Sequence, residues 1–260
     1  MTDESRARLE AARDLAREWT ADPRVRAVAA GGSVAAGTAD RWSDIDLYVY
    51  WDPCPDPTPR DLENEHEIRI DQTAAGEVSV EVSHFPLARV EAMFEAVLVR
   101  CDADPRKQDL VSSVATGIPL YGEALLRAYA ARAAQYPDGL ARNMVLRHLD
   151  FTAESYLQVL AARNDVVRLH DLLVRDARSI LGMLLGINRV YQPHPRFKCM
   201  PALVRLLTIT PPRLEQRLGA MLGSAPAGAV MVREELLAEV LALTRIHMPE
   251  IDAAAHSELP

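Results

Sequence analysis

The sequence has few aromatic side chains, few cysteines and no long apolar run. Aromatic residues make up 5% of its 260 residues, so a core must rest mainly on Leu, Val, Ala and Met. The cysteines, Cys54, Cys101 and Cys199, are odd in number and lack the spacing of a zinc site or a CxxC motif, which predicts reduced thiols. No run reaches the ~18 apolar residues of a membrane-spanning helix, and the charged N-terminus lacks the apolar core of a signal peptide. These shortages predict a cytoplasmic protein that does not span a membrane.

Basic residues are also in the minority. Lys and Arg number 29 against 37 Asp and Glu, which gives a formal net charge of -8 at pH 7. Because a nucleic-acid backbone needs a basic protein face, we do not expect a nucleic-acid partner. A small basic pocket for a nucleoside triphosphate is compatible with this charge, since net charge says little about a single site.

The pattern of apolar residues divides the chain into two parts. Helical spacing over 3–20 is followed by apolar runs at 25–30 and 45–50 and by strict alternation at 78–83, which predict one helix and three strands, and a further helix is predicted to begin at Pro86. A short strand or turn is expected at 117–122. Beyond it only helical periodicity is evident, over 123–134, 139–163, 165–188, 211–223 and 228–246. We therefore predict an α+β protein, with a mixed sheet and flanking helices in residues 1–122 and a helical bundle in residues 123–260.

Two short motifs place polar residues at the ends of predicted strands. Gly31-Gly32-Ser33 ends the first strand, and Asp44-Ile45-Asp46 begins the second after ten intervening residues. Two aspartates separated by one residue on a strand point to the same face, so Asp44 and Asp46 can hold a metal ion together. Magnesium prefers such oxygen ligands. The glycines leave room for a phosphate near the backbone, and Ser33 with the following helical turn would donate hydrogen bonds to it.

Glu81 is the predicted third carboxylate. In the alternating segment 78–83 it lies on the face opposite the valines, where it could bind metal or act as a general base toward an acceptor hydroxyl. Glu77, four residues earlier, is the alternative.

This combination of motifs resembles the signature of the polymerase-β-like nucleotidyltransferase superfamily. The strand around Glu81 and the GIPLYG segment at 117–122 resemble its aminoglycoside adenylyltransferase branch. The resemblance covers roughly residues 25–122 with sharp motifs and is diffuse through the helical remainder. It implies a minimal nucleotidyltransferase mixed sheet followed by a C-terminal helical domain.

The resemblance also implies an activity. AMP from ATP, or the nucleotide of another NTP, would be moved onto a hydroxyl of a small molecule such as an aminoglycoside-like antibiotic, with two magnesium ions. Gly32 and Ser33 would contact the β- and γ-phosphates. The catalytic residues would be Asp44 and Asp46, which bind magnesium, and Glu81, which is a metal ligand or the base. The expected assembly is a monomer or homodimer.

Basic residues of the helical part are weaker candidates. Lys198, in a stretch that resembles a triphosphate-binding loop of the family, is the candidate phosphate ligand. Arg178 or Arg175 on the preceding helix would assist, and the sequence leaves this choice open. Arg175 could instead pair with Asp171 on the helix surface, and His148 is predicted at a helix surface.

Two other functions stay open from the sequence. The same chemistry could serve a nucleotidyltransferase toxin or regulator that modifies a protein or an RNA, although the acidic net charge argues against RNA. A nucleotide sensor with a vestigial site is the non-enzymatic alternative, and the presence of all three carboxylates argues against it.

Overall fold

The computed structural model of this protein describes residues 1–55 and 68–251. The chain forms two compact units, one from residues 1–100 with 106–135 and the other from residues 101–105 with 136–260. The first is a sheet with helices, and the described part of the second contains helices and no strand. The predicted α+β class is thereby confirmed, while the domain boundary at residue 122 stays a prediction.

A five-stranded mixed sheet organises the first unit. Its order is β3-β4-β2-β1-β5, with β2 and β4 parallel and the other neighbours antiparallel. The strands are β1 (Val25–Ala30), β2 (Ile45–Trp51), β3 (Arg69–Ala75), β4 (Val78–Pro86) and β5 (Ile118–Tyr121).

The two faces of β2 have different roles because side chains alternate along a strand. Ile45, Leu47 and Val49 are fully buried in a core that also contains Leu9 and Ala12 of the N-terminal helix. Asp46 and Tyr48 therefore point to the opposite face. On β4 the same alternation puts Val80 and Val82 in the core and leaves Glu81 partly exposed, as the sequence predicted.

Helices of the first unit surround this sheet. They are α1 (Asp3–Thr20), α2 (Gly32–Ala35), α3 (Leu87–Phe94) with a π-helical turn over Glu95–Val99, α4 (Pro105–Thr116, whose first residue belongs to the second unit) and α5 (Glu123–Ala133). Helices α3 and α5 are joined by polar and aromatic contacts. The Tyr129 hydroxyl donates to Glu91 at 2.8 Å, the Arg132 guanidinium donates to both Glu91 oxygens, and Phe94 packs on the Tyr129 ring.

The second unit is built around one long buried helix. Its helices are α6 (Asp138–Arg147), α7 (Glu154–Ala162), α8 (Val166–Asn188), α9 (Met200–Arg205), α10 (Leu214–Gly223) and α11 (Pro226–His247). Helix α8 is buried along most of its length and contacts α6, α7, α10 and α11. His148, expected at a surface, packs instead against Gly182 of α8, and burial lowers its pKa to about 4.

A buried ion pair ties three segments of the second unit together. Arg233 of α11 donates to Asp176 of α8 at 2.7 Å, and the exposed fractions of the two residues are 1% and 0%. Arg233 also donates to the backbone carbonyl of Thr152 at 2.7 Å, and Asp176 accepts from the Thr152 amide at 3.4 Å. These bonds hold the 148–153 segment in an irregular conformation.

Three elements differ from the sequence-based prediction. Strand β3 and helix α9 were not predicted, and the helix expected over 139–163 is interrupted between Arg147 and Glu154. The interruption has no proline or glycine. We attribute the interruption to the hydrogen bonds between the buried ion pair and the Thr152 backbone.

No helix within residues 1–55 and 68–251 combines the length and apolar character that a membrane span requires.

Candidate active site

Asp46 and Glu81 are direct neighbours in the sheet. Strands β2 and β4 run parallel, and their register pairs Asp46 with Glu81. Partners in register point to the same face, so both carboxylates lie on the face away from the core. Asp44 precedes β2 by one residue and is exposed.

The two glycines after β1 let the chain pass close to β2. The Gly31 amide donates to the Asp46 carbonyl at 2.9 Å. A Cβ at Gly31 would overlap the Tyr48 ring, and a Cβ at Gly32 would overlap the Asp46 carboxylate. Gly32 also has φ +52, a left-handed conformation that glycine adopts most readily. The Gly31-Gly32 turn therefore holds its backbone directly against the Asp46 side chain.

A rigid turn leads into Asp44. The Asp40 carboxylate accepts from the Trp42 amide and the Ser43 hydroxyl, both at 2.9 Å, and the Ser43 amide donates to the Asp40 carbonyl. These bonds hold the pKa of Asp40 below its usual value. Arg8 of α1, which is buried, donates from Nε to the Ser43 carbonyl at 2.8 Å. The residue directly before Asp44 is thus fixed from two sides.

Tyr48 lies in the wall of the site. Its ring packs edge-on against Phe85, and its hydroxyl shares a hydrogen bond with Ser113 of α4. Burial raises the pKa of Tyr48 well above its usual value, and the negative charges of Asp46, Asp109 and Glu81 raise it further. Tyr48 therefore stays neutral at physiological pH, and the negative charge that acts on it includes that of Asp109, a mostly buried residue of α4.

Glu81 has a partner from the strand that the sequence did not predict. Gln72 of β3 is in register with Glu81, and its amide nitrogen donates to Glu81 Oε2 at 3.0 Å. This bond orients the Glu81 carboxylate.

The carboxylates of Asp44, Asp46 and Glu81 do not converge into a metal-binding cluster in this structure. Among residues 1–55 and 68–251, no three His, Cys, Asp or Glu side chains are grouped closely enough to hold a metal ion. The backbone nonetheless brings Asp46 and Glu81 side by side, with Asp44 two residues before Asp46. The metal roles of these residues stay predictions.

The basic candidates all belong to the second unit. Lys198 is exposed between α8 and α9, and Arg178 is exposed on α8. Arg175 does not pair with Asp171, which instead accepts from Arg168. Arg175 donates instead to the Thr152 hydroxyl at 2.9 Å. Phosphate binding by Lys198 and Arg178 stays a prediction.

The sequence reasoning missed two residues that support the site. Arg8 could have been noticed as a charged residue at a core-facing position of α1, between Ser5 and Leu9, which are both buried. Gln72 carried no signal, because β3 is polar along most of its length and lies at the edge of the sheet.

Comparisons with known families agree with this geometry. Residues 10–95 match the nucleotidyltransferase domain family. Residues 105–198 match a domain of unknown function, DUF4037. No protein of curated function matches the chain. The chain is also similar to a nucleotidyltransferase-like protein from Exiguobacterium sibiricum 255-15, known from a crystal structure. The two are 14% identical over 94% of this chain and 80% of that one, with a TM-score of 0.43.

The segment that matches the nucleotidyltransferase domain thus includes the two glycines and the three carboxylates described above. More particularly, the DUF4037 match follows this segment and ends at Lys198.

Proposed function

We propose that the first unit transfers a nucleoside monophosphate, AMP from ATP in the first instance, onto a hydroxyl of a small molecule with the help of magnesium. One observation carries the proposal. Asp46 and Glu81 are paired on adjacent parallel strands of a nucleotidyltransferase domain, and the Asp46 carboxylate lies against a glycine turn that has no room for a side chain.

The residues present fit a magnesium ion. Asp44, Asp46 and Glu81 offer only oxygen ligands, which this hard cation prefers, and Gly32, which has no side chain, makes room for the Asp46 carboxylate. Asp44 and Asp46 would hold the metal, and Glu81 would be a further ligand or the general base. When bound, magnesium neutralises phosphate charge and lowers the pKa of a coordinated hydroxyl.

The chain's own groups then have distinct tasks. Gly31 and Gly32 bring the backbone close to the triphosphate, and the Ser33 hydroxyl donates to a phosphate oxygen. Glu81, oriented by Gln72, takes the proton of the acceptor hydroxyl. The acceptor oxygen bonds to the α-phosphorus, while the bond from this phosphorus to the oxygen shared with the β-phosphate breaks and pyrophosphate leaves.

An amine-bearing acceptor, such as an aminoglycoside-like antibiotic, suits the acidic character of the site. Asp46 and Glu81 lie side by side on this face, and the charge of Asp109, a mostly buried residue of α4, also reaches Tyr48. Carboxylates form short, charge-assisted hydrogen bonds with ammonium groups. This acidity disfavours an RNA acceptor, whose phosphates would be repelled.

The test is a screen of each NTP against a library of hydroxylated small molecules, with magnesium and with pyrophosphate release as readout. We expect release that depends on both magnesium and one acceptor class, with amino sugars the strongest. Release only with RNA or a protein substrate would contradict the acceptor class. Tight NTP binding with no acceptor-dependent release would contradict the enzymatic role.

Gly32→Ala should reduce transfer by roughly 100-fold, because a methyl group at this position displaces the Asp46 carboxylate and a displacement of about 1 Å can cost that much. The left-handed backbone adds a stability loss of roughly 1–2 kcal/mol. The measurements are pyrophosphate release and urea unfolding.

Gly76→Ala is the matched control. Gly76, in the β3–β4 turn, also has a left-handed conformation, with φ +64, but a methyl group added there would meet nothing within 4 Å. It should lose similar stability and keep its activity. Equal activity of the two variants would contradict a catalytic role for the close contact between Gly32 and the Asp46 carboxylate.

A further inference from the structure

Trp42 is the most exposed of the large aromatic side chains within residues 1–55 and 68–251. Its exposed fraction is 80%, whereas Trp51 is 4% exposed and Trp19 is partly buried against Trp51 and His84. It lies two residues before Asp44. Exposure of a whole indole beside a candidate active site suggests a contact made only when a ligand is bound.

The backbone that carries Trp42 is fixed. Its amide donates to the Asp40 carboxylate, and the Ser43 carbonyl that follows is held by the buried Arg8. Holding a ligand-contacting side chain on a preorganised turn reduces the entropy lost on binding.

Arg41 gives the exposed indole a positive neighbour. The Arg41 guanidinium lies over the Trp42 ring, 4.5 Å from the ring centre, in a cation–π arrangement. At 80% exposure the indole keeps a wide ring surface open to solvent. The pair therefore offers a flat aromatic surface and a positive charge together.

A nucleotide carries the matching chemistry, a planar base and a chain of negative phosphates. We propose that Trp42, supported by Arg41, stacks on the base of the bound NTP and thereby contributes to nucleotide affinity. The inference rests on the proposed nucleotidyl transfer. It adds a base contact from the turn before Asp44 to the phosphate contacts expected from Gly32 and Ser33. Because every base has an aromatic face, the contact strengthens binding of all four NTPs and selects weakly among them.

The test uses tryptophan fluorescence of the full chain. Acrylamide quenches exposed indoles, so most of the quenchable emission comes from Trp42. Binding of ATP with magnesium should protect this emission from acrylamide. Inorganic tripolyphosphate, which has the charge and no base, should leave the quenching unchanged.

Variants separate stacking from other roles. Trp42→Leu should bind ATP about tenfold more weakly, while Trp42→Phe, which keeps an aromatic face, should stay within about threefold of wild type. Tripolyphosphate affinity, measured by calorimetry, should be the same in all three proteins. A structural role for Trp42 would lower both affinities together.

The outcomes distinguish this inference from the proposed function. If wild-type protein releases pyrophosphate but Trp42→Leu binds ATP as tightly as wild type, the stacking role is wrong and the activity stands. An equal loss of ATP and tripolyphosphate affinity also overturns it. If wild-type protein binds no NTP, both the stacking role and the proposed function fail.

Discussion

Asp46→Asn should lower acceptor-dependent pyrophosphate release by about 1,000-fold or more, because a lost metal contact removes several kcal/mol of transition-state stabilisation. The amide has almost the shape of the carboxylate and lacks its charge. The variant should therefore keep the sheet and the contact with the Gly31-Gly32 turn. The measurements are initial rates at saturating ATP and magnesium, with circular dichroism and thermal unfolding to check the fold.

Asp52→Asn is the matched control for this variant. Asp52 follows the other end of β2, is exposed and pairs with Arg26 at the surface. The same loss of one negative charge there should leave the rate unchanged. If Asp46→Asn retained activity within about tenfold of the Asp52→Asn protein, a difference of only ~1.4 kcal/mol, Asp46 would not be a metal ligand and the mechanism would be wrong.

Arg233→Met should destabilise the second unit by about 3–5 kcal/mol, because it leaves the Asp176 carboxylate buried without its main cation. Burial already raises the pKa of Asp176 above its usual value even with Arg233 present, which reflects the cost of removing this carboxylate from water. Urea unfolding followed by circular dichroism measures the change in free energy of unfolding.

Two further variants make this test specific. Arg168→Met removes an ion pair of similar length, 2.6 Å to Asp171, whose side chains on α8 are 50% and 67% exposed. It should cost less than about 1 kcal/mol. Combining Arg233→Met with Asp176→Leu removes both buried charges and should recover much of the loss. Equal stability of Arg233→Met and Arg168→Met would contradict the account of the buried pair.

Much of the sheet-containing half of the fold could be predicted from sequence because its signals are local. Apolar runs and alternation located β1, β2 and β4, and the parity of the alternation put Glu81 on the face opposite Val80 and Val82. The spacing of the glycine turn and the two aspartates indicated the nucleotidyltransferase domain that the family comparison supports.

Strand β3 could not be predicted for a physical reason. It is polar along most of its length, and its stability comes from pairing with β4 from Arg69 to Ala75. Edge strands of this kind have no apolar pattern of their own, since only one side is hydrogen-bonded and little of the surface is buried. The Gln72–Glu81 contact depends on that pairing and was invisible for the same reason.

In the helical half, the long helices could be predicted from sequence but a break between two helices could not. Its periodicity located the long helices α8 and α11 to within a few residues, but the break between α6 and α7 has no local breaker. The break is instead set by Arg233 and Asp176, which are distant in sequence from Thr152 and bind its backbone carbonyl and amide. Likewise, His148 is half-buried because Gly182, which has no side chain, lets the imidazole ring approach α8 closely.

Local sequence patterns were enough to determine the class of the N-terminal domain and its strand faces and to predict the candidate catalytic residues, because each of these depends on residues close in the chain. The folded chain was needed to show that Asp46 pairs with Glu81, that Gln72 and Arg8 support the site, and that Trp42 stands exposed on a fixed turn. Those features arise from hydrogen bonds and packing between segments far apart in sequence, which no local pattern encodes.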